Sequence, residues 1–180
     1  DAVVFSSEGL SEKKLACARG LRAGGEYEGR FVERIEAPQR LFVFGAGDDA
    51  KPLVKMAALL GWTVIVADGR GQLAKTERFP EAERVACVAG TGAARLGIRA
   101  DDAVVMMTHS YEQDRAILAS LLPMRPRYMG LLGARHRSSL LLAEAAAMLG
   151  CSVAECCEGL FAPVGLDLGG DGAEAIALAV

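Results

Sequence analysis

From Leu41 onward, short apolar runs alternate with longer stretches whose apolar residues recur every three or four positions, and few folds accept that alternation. It is the signature of βαβ units, in which parallel strands are covered by helices on both faces. Leu41 to Phe44 reads as a buried strand running into Gly45-Ala46-Gly47. Asp48 or Asp49 is then placed to cap a helix that carries Pro52 in its first turn, with Leu53, Met56, Ala57 and Leu60 on one stripe and Gly61 at its end. Strands are predicted at Trp62 to Ala67, Val85 to Val88, Ala103 to Met107 and Arg127 to Leu132. Helices are predicted at Tyr111 to Leu122, Ser138 to Leu149 and in the run Ala173 to Val180, with a Gly- and Asp-rich loop and a short extended piece over 159–172. The helix Ser138 to Leu149 is apolar on most faces, which predicts burial against the sheet or self-association as a homodimer.

Residues 1–38 break the pattern and read as a segment from an adjoining domain: a strand at Ala2 to Phe5, a helix at Ser11 to Arg22 and a strand at Tyr27 to Ile35. Pro38 is the boundary, and 39–180 form the α/β domain. The chain has 180 residues, 52% of them hydrophobic and 24% charged, enough apolar material for one compact core. With 20 Lys and Arg against 23 Asp and Glu, no basic tract exists to bind nucleic acid. No apolar run approaches the roughly 20 residues of a bilayer crossing. Cys17, Cys87, Cys151, Cys156 and Cys157 include no CxxC pair, so no zinc site or disulfide framework follows, and structural thiols are the expectation near the C-terminus. With no leader pattern at the N-terminus, a cytoplasmic location is expected. The first residue, Asp1, and the last, Val180, also read as cut ends of a longer protein.

In a parallel sheet of this kind ligands bind beyond the carboxyl ends of the strands, where the strand order reverses. Gly45-Ala46-Gly47-Asp48-Asp49-Ala50 is a GxGxxA turn between a strand and a helix, in which Gly45 allows the sharp turn and Gly47 lets a pyrophosphate reach the backbone. Asp68 ends the next strand about 20 residues on, where a carboxylate can accept ribose hydroxyls. Arg70 is placed to grip a phosphate, a 2′-phosphate included. Against this, Asp48 and Asp49 repel an anion unless they turn away or Lys51 offsets them. Thr108-His109-Ser110 follows the fourth strand, next to the first, so Thr108 and His109 face the same crevice. Asp114 is placed to orient His109 or to pair with Arg115. Gly133 leads into Arg135-His136-Arg137 at a helix start, where cations oppose the helix dipole and an anion would relieve the conflict. No Lys-Tyr pair, GxSxG elbow, GxxxxGK loop or metal spacing is present, and no residue is nominated as a catalyst.

Taken in order, Leu41-Phe-Val-Phe-Gly-Ala-Gly-Asp-Asp-Ala50, Leu59-Leu-Gly-Trp62, Ala67-Asp-Gly-Arg70, Arg78-Phe79-Pro80, Met107-Thr-His109 with Asp114, Tyr128-Met-Gly-Leu-Leu-Gly133 with Arg135, and Pro163-Val-Gly-Leu-Asp-Leu-Gly169 resemble the C-terminal domain of the XdhC/CoxI family. The resemblance implies a Rossmann-like doubly wound parallel sheet. It also implies an accessory role in maturing molybdenum hydroxylases such as xanthine dehydrogenase or carbon monoxide dehydrogenase. Family members are thought to bind the molybdenum cofactor, as molybdopterin or its cytosine dinucleotide, to support its sulfuration and to insert it into the apoenzyme, with a cysteine desulfurase as a further partner. Gly45, Gly47, Asp68 and Arg70 would then hold phosphate and ribose, with Thr108, His109, Gly133 and Arg135 around them. The family's N-terminal domain carries a glycine-flanked cysteine, whereas residues 1–38 hold only Cys17 in an unlike context, so that half is expected to be missing. Two alternatives stand beside this: an NAD(P)-dependent oxidoreductase with His109 as acid, and a nucleotide sensor without catalysis.

Overall fold

The computed structural model describes residues 25–27, 30–32 and 37–180, with the backbone alone for 25–27, 30–32 and Thr91. The chain divides into two units, Asp1–Pro38 and Gln39–Val180. In the first, β1 (Gly25–Tyr27) and β2 (Arg30–Val32) pair antiparallel, with Glu26 opposite Phe31. The sequence pattern predicts one strand over Tyr27 to Ile35. The structure instead has two strands there, with residues 28–29 and 33–35 of that span outside the described residues. The strand expected at Ala2 to Phe5 and the helix expected at Ser11 to Arg22 lie outside the described residues.

In the second unit six strands form one parallel sheet: β3 (Arg40–Phe44), β4 (Thr63–Asp68), β5 (Arg84–Cys87), β6 (Ala103–Met106), β7 (Tyr128–Leu131) and β8 (Leu160–Phe161). Their order is β5-β4-β3-β6-β7-β8, with Leu41 paired to Val64 on one side and to Ala103 on the other. This is the doubly wound Rossmann order, and the chain reverses direction across the sheet between β3 and β6.

The apolar runs are continuous because both faces of each strand are buried. Phe42, Phe44, Val104 and Met106 point to one face and pack with Leu118 and Leu141 from α2 (Tyr111–Leu121) and α3 (Arg135–Leu149). Leu41, Val43, Val64 and Val105 point to the other and meet Leu53, Val54 and Ala57 of α1 (Ala50–Leu59). Ala177 of the C-terminal helix Ala173–Ala179 completes that face. Between α3 and β8 lies α4 (Val153–Cys156), and α5 is the C-terminal helix. The extended piece expected in 159–172 is β8, the sixth strand, whose Phe161 stacks on Tyr128 at 4.7 Å. Among the described residues no helix is long and apolar enough to cross a membrane.

Two helix starts differ from the sequence reading. Helix α3 begins at Arg135, three residues before Ser138. The Ser138 amide donates to Ala134 O in an ordinary helical bond and its side chain is buried, so the helix already runs through it. Asp49 occupies the N-cap position of α1 but makes no side-chain cap bond, because its carboxylate is committed elsewhere. Only part of α3 is buried: Leu141, Leu142, Ala145 and Ala146 face the core, while Leu140 and Met148 stay exposed.

Candidate functional site

The glycine turn after β3 is shaped by its closeness to the end of β6. Gly45 has φ +120°, and its amide donates to Ala67 O at 2.8 Å. A Cβ there would stand 2.4 Å from Met107 O, backbone against backbone, so no other residue fits. Gly47 differs, since among the described residues the only close neighbour of its missing Cβ is the side chain of Asp49, with Oδ1 at 2.4 Å. Ala50 is fully buried and lets α1 lie close on the sheet. The Ala46 amide is taken by Asp68 and the Ala50 amide by Gly47 O. The amides of Gly47, Asp48 and Asp49 find no acceptor among the described residues. At a helix N-terminus, such amides are anion donors.

Asp68 ends β4 beside this turn, with 1% of its surface exposed. Its Oδ2 accepts from the Ala46 amide and from Arg70 Nη2, each at 2.7 Å. Its Oδ1 accepts from Arg70 N at 2.8 Å and from Arg70 Nε at 2.9 Å. The carboxylate is thus turned inward, bracing the glycine turn and fixing Arg70, in place of the outward ribose acceptor its spacing predicts. Arg70 remains partly exposed, with Nη2 also 3.5 Å from Thr108 O. Burial alone would push the Asp68 carboxyl up, but the hydrogen bonds from Arg70 and from the Ala46 amide together hold it below the usual carboxylate value. A depressed folded-state value means Asp68 contributes stability that is fully present above its unfolded value of about 3.9 and is lost as pH falls through the folded one. Acid unfolding monitored by fluorescence or circular dichroism should therefore show a loss of stability below about pH 4. The Asp68→Asn variant should show a smaller loss over the same interval.

At the end of β6, Thr108 Oγ1 donates to Asp114 Oδ1 at 2.6 Å, and Ser110 Oγ caps α2 by accepting from Gln113 N. His109 stands between them in the left-handed region, φ +60°, and its ring reaches back over the glycine turn to place Nε2 2.6 Å from Asp49 Oδ2. The expected partners of Asp114 require correction. It is fully buried and binds Thr108 and Arg137, whose Nη2 donates to Oδ2 at 2.6 Å; it holds neither His109 nor Arg115. Arg115 pairs instead with Glu112 and Glu144.

The third part of the rim follows β7. Gly133 has φ +131°, and Arg137 packs beside it, donating from Nη1 to Leu132 O at 3.3 Å and lying over the Tyr111 ring. The conflict between Arg137 and the α3 dipole is relieved by the Asp114 carboxylate from within the fold. Arg135 is exposed and makes no ion pair among the described residues. Arg78, from the turn of helix Thr76–Arg78, also reaches the site and donates from Nη2 to Ala46 O at 3.2 Å and to Asp48 Oδ1 at 3.0 Å. Lys51 joins Asp48 at 2.7 Å, so that carboxylate is neutralised from two sides.

The structure therefore gathers Gly45, Gly47, Asp68, Arg70, Thr108 and His109 around the switch point. It adds Asp49, Arg78 and Asp114, which the motifs alone do not assign to a ligand-holding role, and it gives Arg137, expected with Arg135 to recognise a phosphate or carboxylate, an internal carboxylate partner in Asp114. The Asp49–His109 contact spans 60 positions and the Asp114–Arg137 contact 23, so both depend on strand order and leave no local spacing to read.

The model of the XdhC Rossmann domain matches residues 41–180. A probable xanthine dehydrogenase subunit of Bacillus subtilis (strain 168) is 34% identical over 151 residues, covering 83% of this chain and 43% of that protein. The Escherichia coli (strain K12) protein YqeB, described as uncharacterized, is 33% identical over 144 residues, covering 78% of this chain and 26% of that protein. A crystal structure of a xanthine dehydrogenase from Bacillus halodurans superposes with a TM-score of 0.77 at 31% identity, covering 99% of this chain and 53% of that one. The chain thus spans about half the length of these relatives or less. With the sheet order, the glycine turn and a family match that takes in nearly the whole second unit, the chain belongs to the XdhC Rossmann domain family.

Proposed function

We propose that this chain serves as a cofactor-binding accessory factor for molybdenum hydroxylases of the xanthine dehydrogenase or carbon monoxide dehydrogenase type. In this reading it holds the molybdenum cofactor or a related nucleotide, and helps its sulfuration and its insertion into the apoenzyme. The observation that carries the reading is the glycine turn at the switch point, whose Gly47, Asp48 and Asp49 amides find no acceptor among the described residues, with Arg70 held beside the turn by Asp68. That donor set suits a phosphate. Family membership supports the hydroxylase as the partner, and a cysteine desulfurase is the sulfur source the reading calls for. The site needs affinity and release, and none of its residues is assigned a catalytic step.

The phosphate of molybdopterin, or the pyrophosphate of its cytosine dinucleotide, would be held by the amides of Gly47, Asp48 and Asp49, with Arg70, already paired to Asp68, as a further donor. When bound, the cofactor carries the molybdenum chemistry, and the protein contributes only the holding of it. Asp49 must leave its place over Gly47 for this to happen, which also frees His109.

Thermal shift tests the reading with molybdopterin, its cytosine dinucleotide, NAD(H) and NADP(H) as separate arms. A ligand at 100 times its Kd should add about 2.7 kcal/mol of stability. Stabilisation by either molybdopterin form supports the proposal, and stabilisation by nicotinamide nucleotides alone replaces it with the oxidoreductase or sensor reading. Gly47→Val should retain the unliganded melting temperature within about 2–3 °C, because the new side chain meets only the movable Asp49 carboxylate. The same variant should lose the ligand-induced shift. A normal shift in this variant would place the ligand elsewhere.

A further inference from the structure

A second group of reactive side chains lies away from the crevice. Helix α3 starts at the carboxyl end of β7 and carries the chain back toward the start of β8, so its last residues are at the far end of the sheet. It ends at Gly150, φ +68°, and Cys151 follows directly. The single turn α4 then brings residue 156 back over residue 151. Its geometry is fixed by a reciprocal cap: Glu155 N donates to Ser152 Oγ, and Ser152 N donates to Glu155 Oε2 at 2.8 Å. As a result the sulfurs of Cys151 and Cys156 stand 2.8 Å apart. Non-bonded heavy atoms ordinarily settle at about 3.5–4.0 Å, while a disulfide closes at about 2.05 Å. Both thiols line a surface cavity of about 280 Å³ with Arg125 and Glu155, Cys151 half-buried and Cys156 buried.

We propose that Cys151 and Cys156 form a reversible dithiol–disulfide pair, oxidised by a low-molecular-weight disulfide that enters through this cavity. The hydrogen bond with Cys151, followed by burial, pushes the Cys156 thiol up to about 11, so it stays protonated at neutral pH. Cys151, on the more accessible side, gives up its proton to solvent as its sulfur attacks one sulfur of the entering disulfide, forming a mixed disulfide and expelling one small thiolate. Cys156 gives up its proton to solvent as its sulfur attacks Cys151 Sγ. The mixed bond breaks, and the second small thiolate leaves. Two protein thiols are oxidised and one small disulfide is reduced to two thiols. The product ties the end of α3 to α4, the element that delivers edge strand β8.

The test equilibrates the full chain in neutral glutathione buffers from fully reduced to fully oxidised, then alkylates remaining thiols and cleaves after glutamate. Cleavage at Glu155 separates Cys151 from Cys156, so oxidised samples should contain the peptide 145–155 disulfide-linked to 156–158, with two thiols lost per chain and both restored by dithiothreitol. Cys157→Ser should keep the link, while Cys156→Ser and Cys151→Ser should each abolish it. Cys151 is only half-buried, so its variant retains the fold even where serine at the buried position 156 is not accepted. Absence of the link at every glutathione ratio overturns the proposal. So does its survival in Cys156→Ser, which would make Cys157 the partner.

Discussion

Replacing Gly45 by alanine is expected to destabilise the protein by about 2–6 kcal/mol. Two costs of about 1–3 kcal/mol each combine here: a non-glycine residue held in a sparsely populated backbone region, and an extra carbon forced into a packed site. The backbone carbonyl of Met107, 2.4 Å from the new Cβ, cannot rotate away as a side chain would. It belongs to the chain leaving β6, where the Met107 amide donates to Phe44 O at 2.7 Å. Relief therefore requires parting β3 from β6 at the switch point. Gly61→Ala is the matched control, since Gly61 also has positive φ, +76°, but nothing among the described residues lies within 4 Å of its Cβ. Thermal and urea melts of the two variants separate the costs, at roughly 2–4 °C per kcal/mol for a chain of this size. Equal losses at the two positions would show that the strand ends yield, and the tight approach would then not be what demands glycine.

Asp114→Ala should have the next largest effect, a loss of about 3–5 kcal/mol. The carboxylate is fully buried and joins Thr108, at the end of β6, to Arg137, in the first turn of α3. Removing it takes the 2.6 Å acceptor from both the Thr108 hydroxyl and Arg137 Nη2, and the Arg137 charge is then opposed by the helix dipole. Asp114→Asn retains an acceptor for Thr108 but loses the charge, and it should fall between the wild type and alanine. An Asp114→Ala, Arg137→Ala double variant measured in a cycle isolates the pair. A coupling energy near zero would reduce Arg137 to a packing residue.

The fold was legible because strands covered on both faces leave continuous apolar runs, as in Leu41 to Phe44 and Ala103 to Met106. Helices on one face show in the three- and four-residue spacing of Leu53, Met56, Ala57 and Leu60. What failed to show was the direction of side chains with more than one polar neighbour in reach. Asp68 is placed beside the glycine turn by its spacing, but Arg70, two residues on, and the Ala46 amide claim both its oxygens. Asp49 looks like a helix cap and is drawn off by His109, 60 residues away. Arg137 looks like an anion receptor, and its anion is Asp114. For Asp49 and Arg137 the deciding partner comes from the chain that follows another strand, and strand order is not encoded in local pattern.

The pairing of Asp114 with Arg137 has a mechanical corollary for how the crevice admits any guest. Loop 107–110 and the start of α3 are clamped to each other by one carboxylate, so the β6–β7 flank is a rigid jaw. The opposite flank carries Asp48 and Asp49, tethered among the described residues by side chains that rotate: Lys51, Arg78 and His109. Adjustment to an incoming molecule is thereby confined to a few torsions on the compliant jaw, and the sheet itself need not flex.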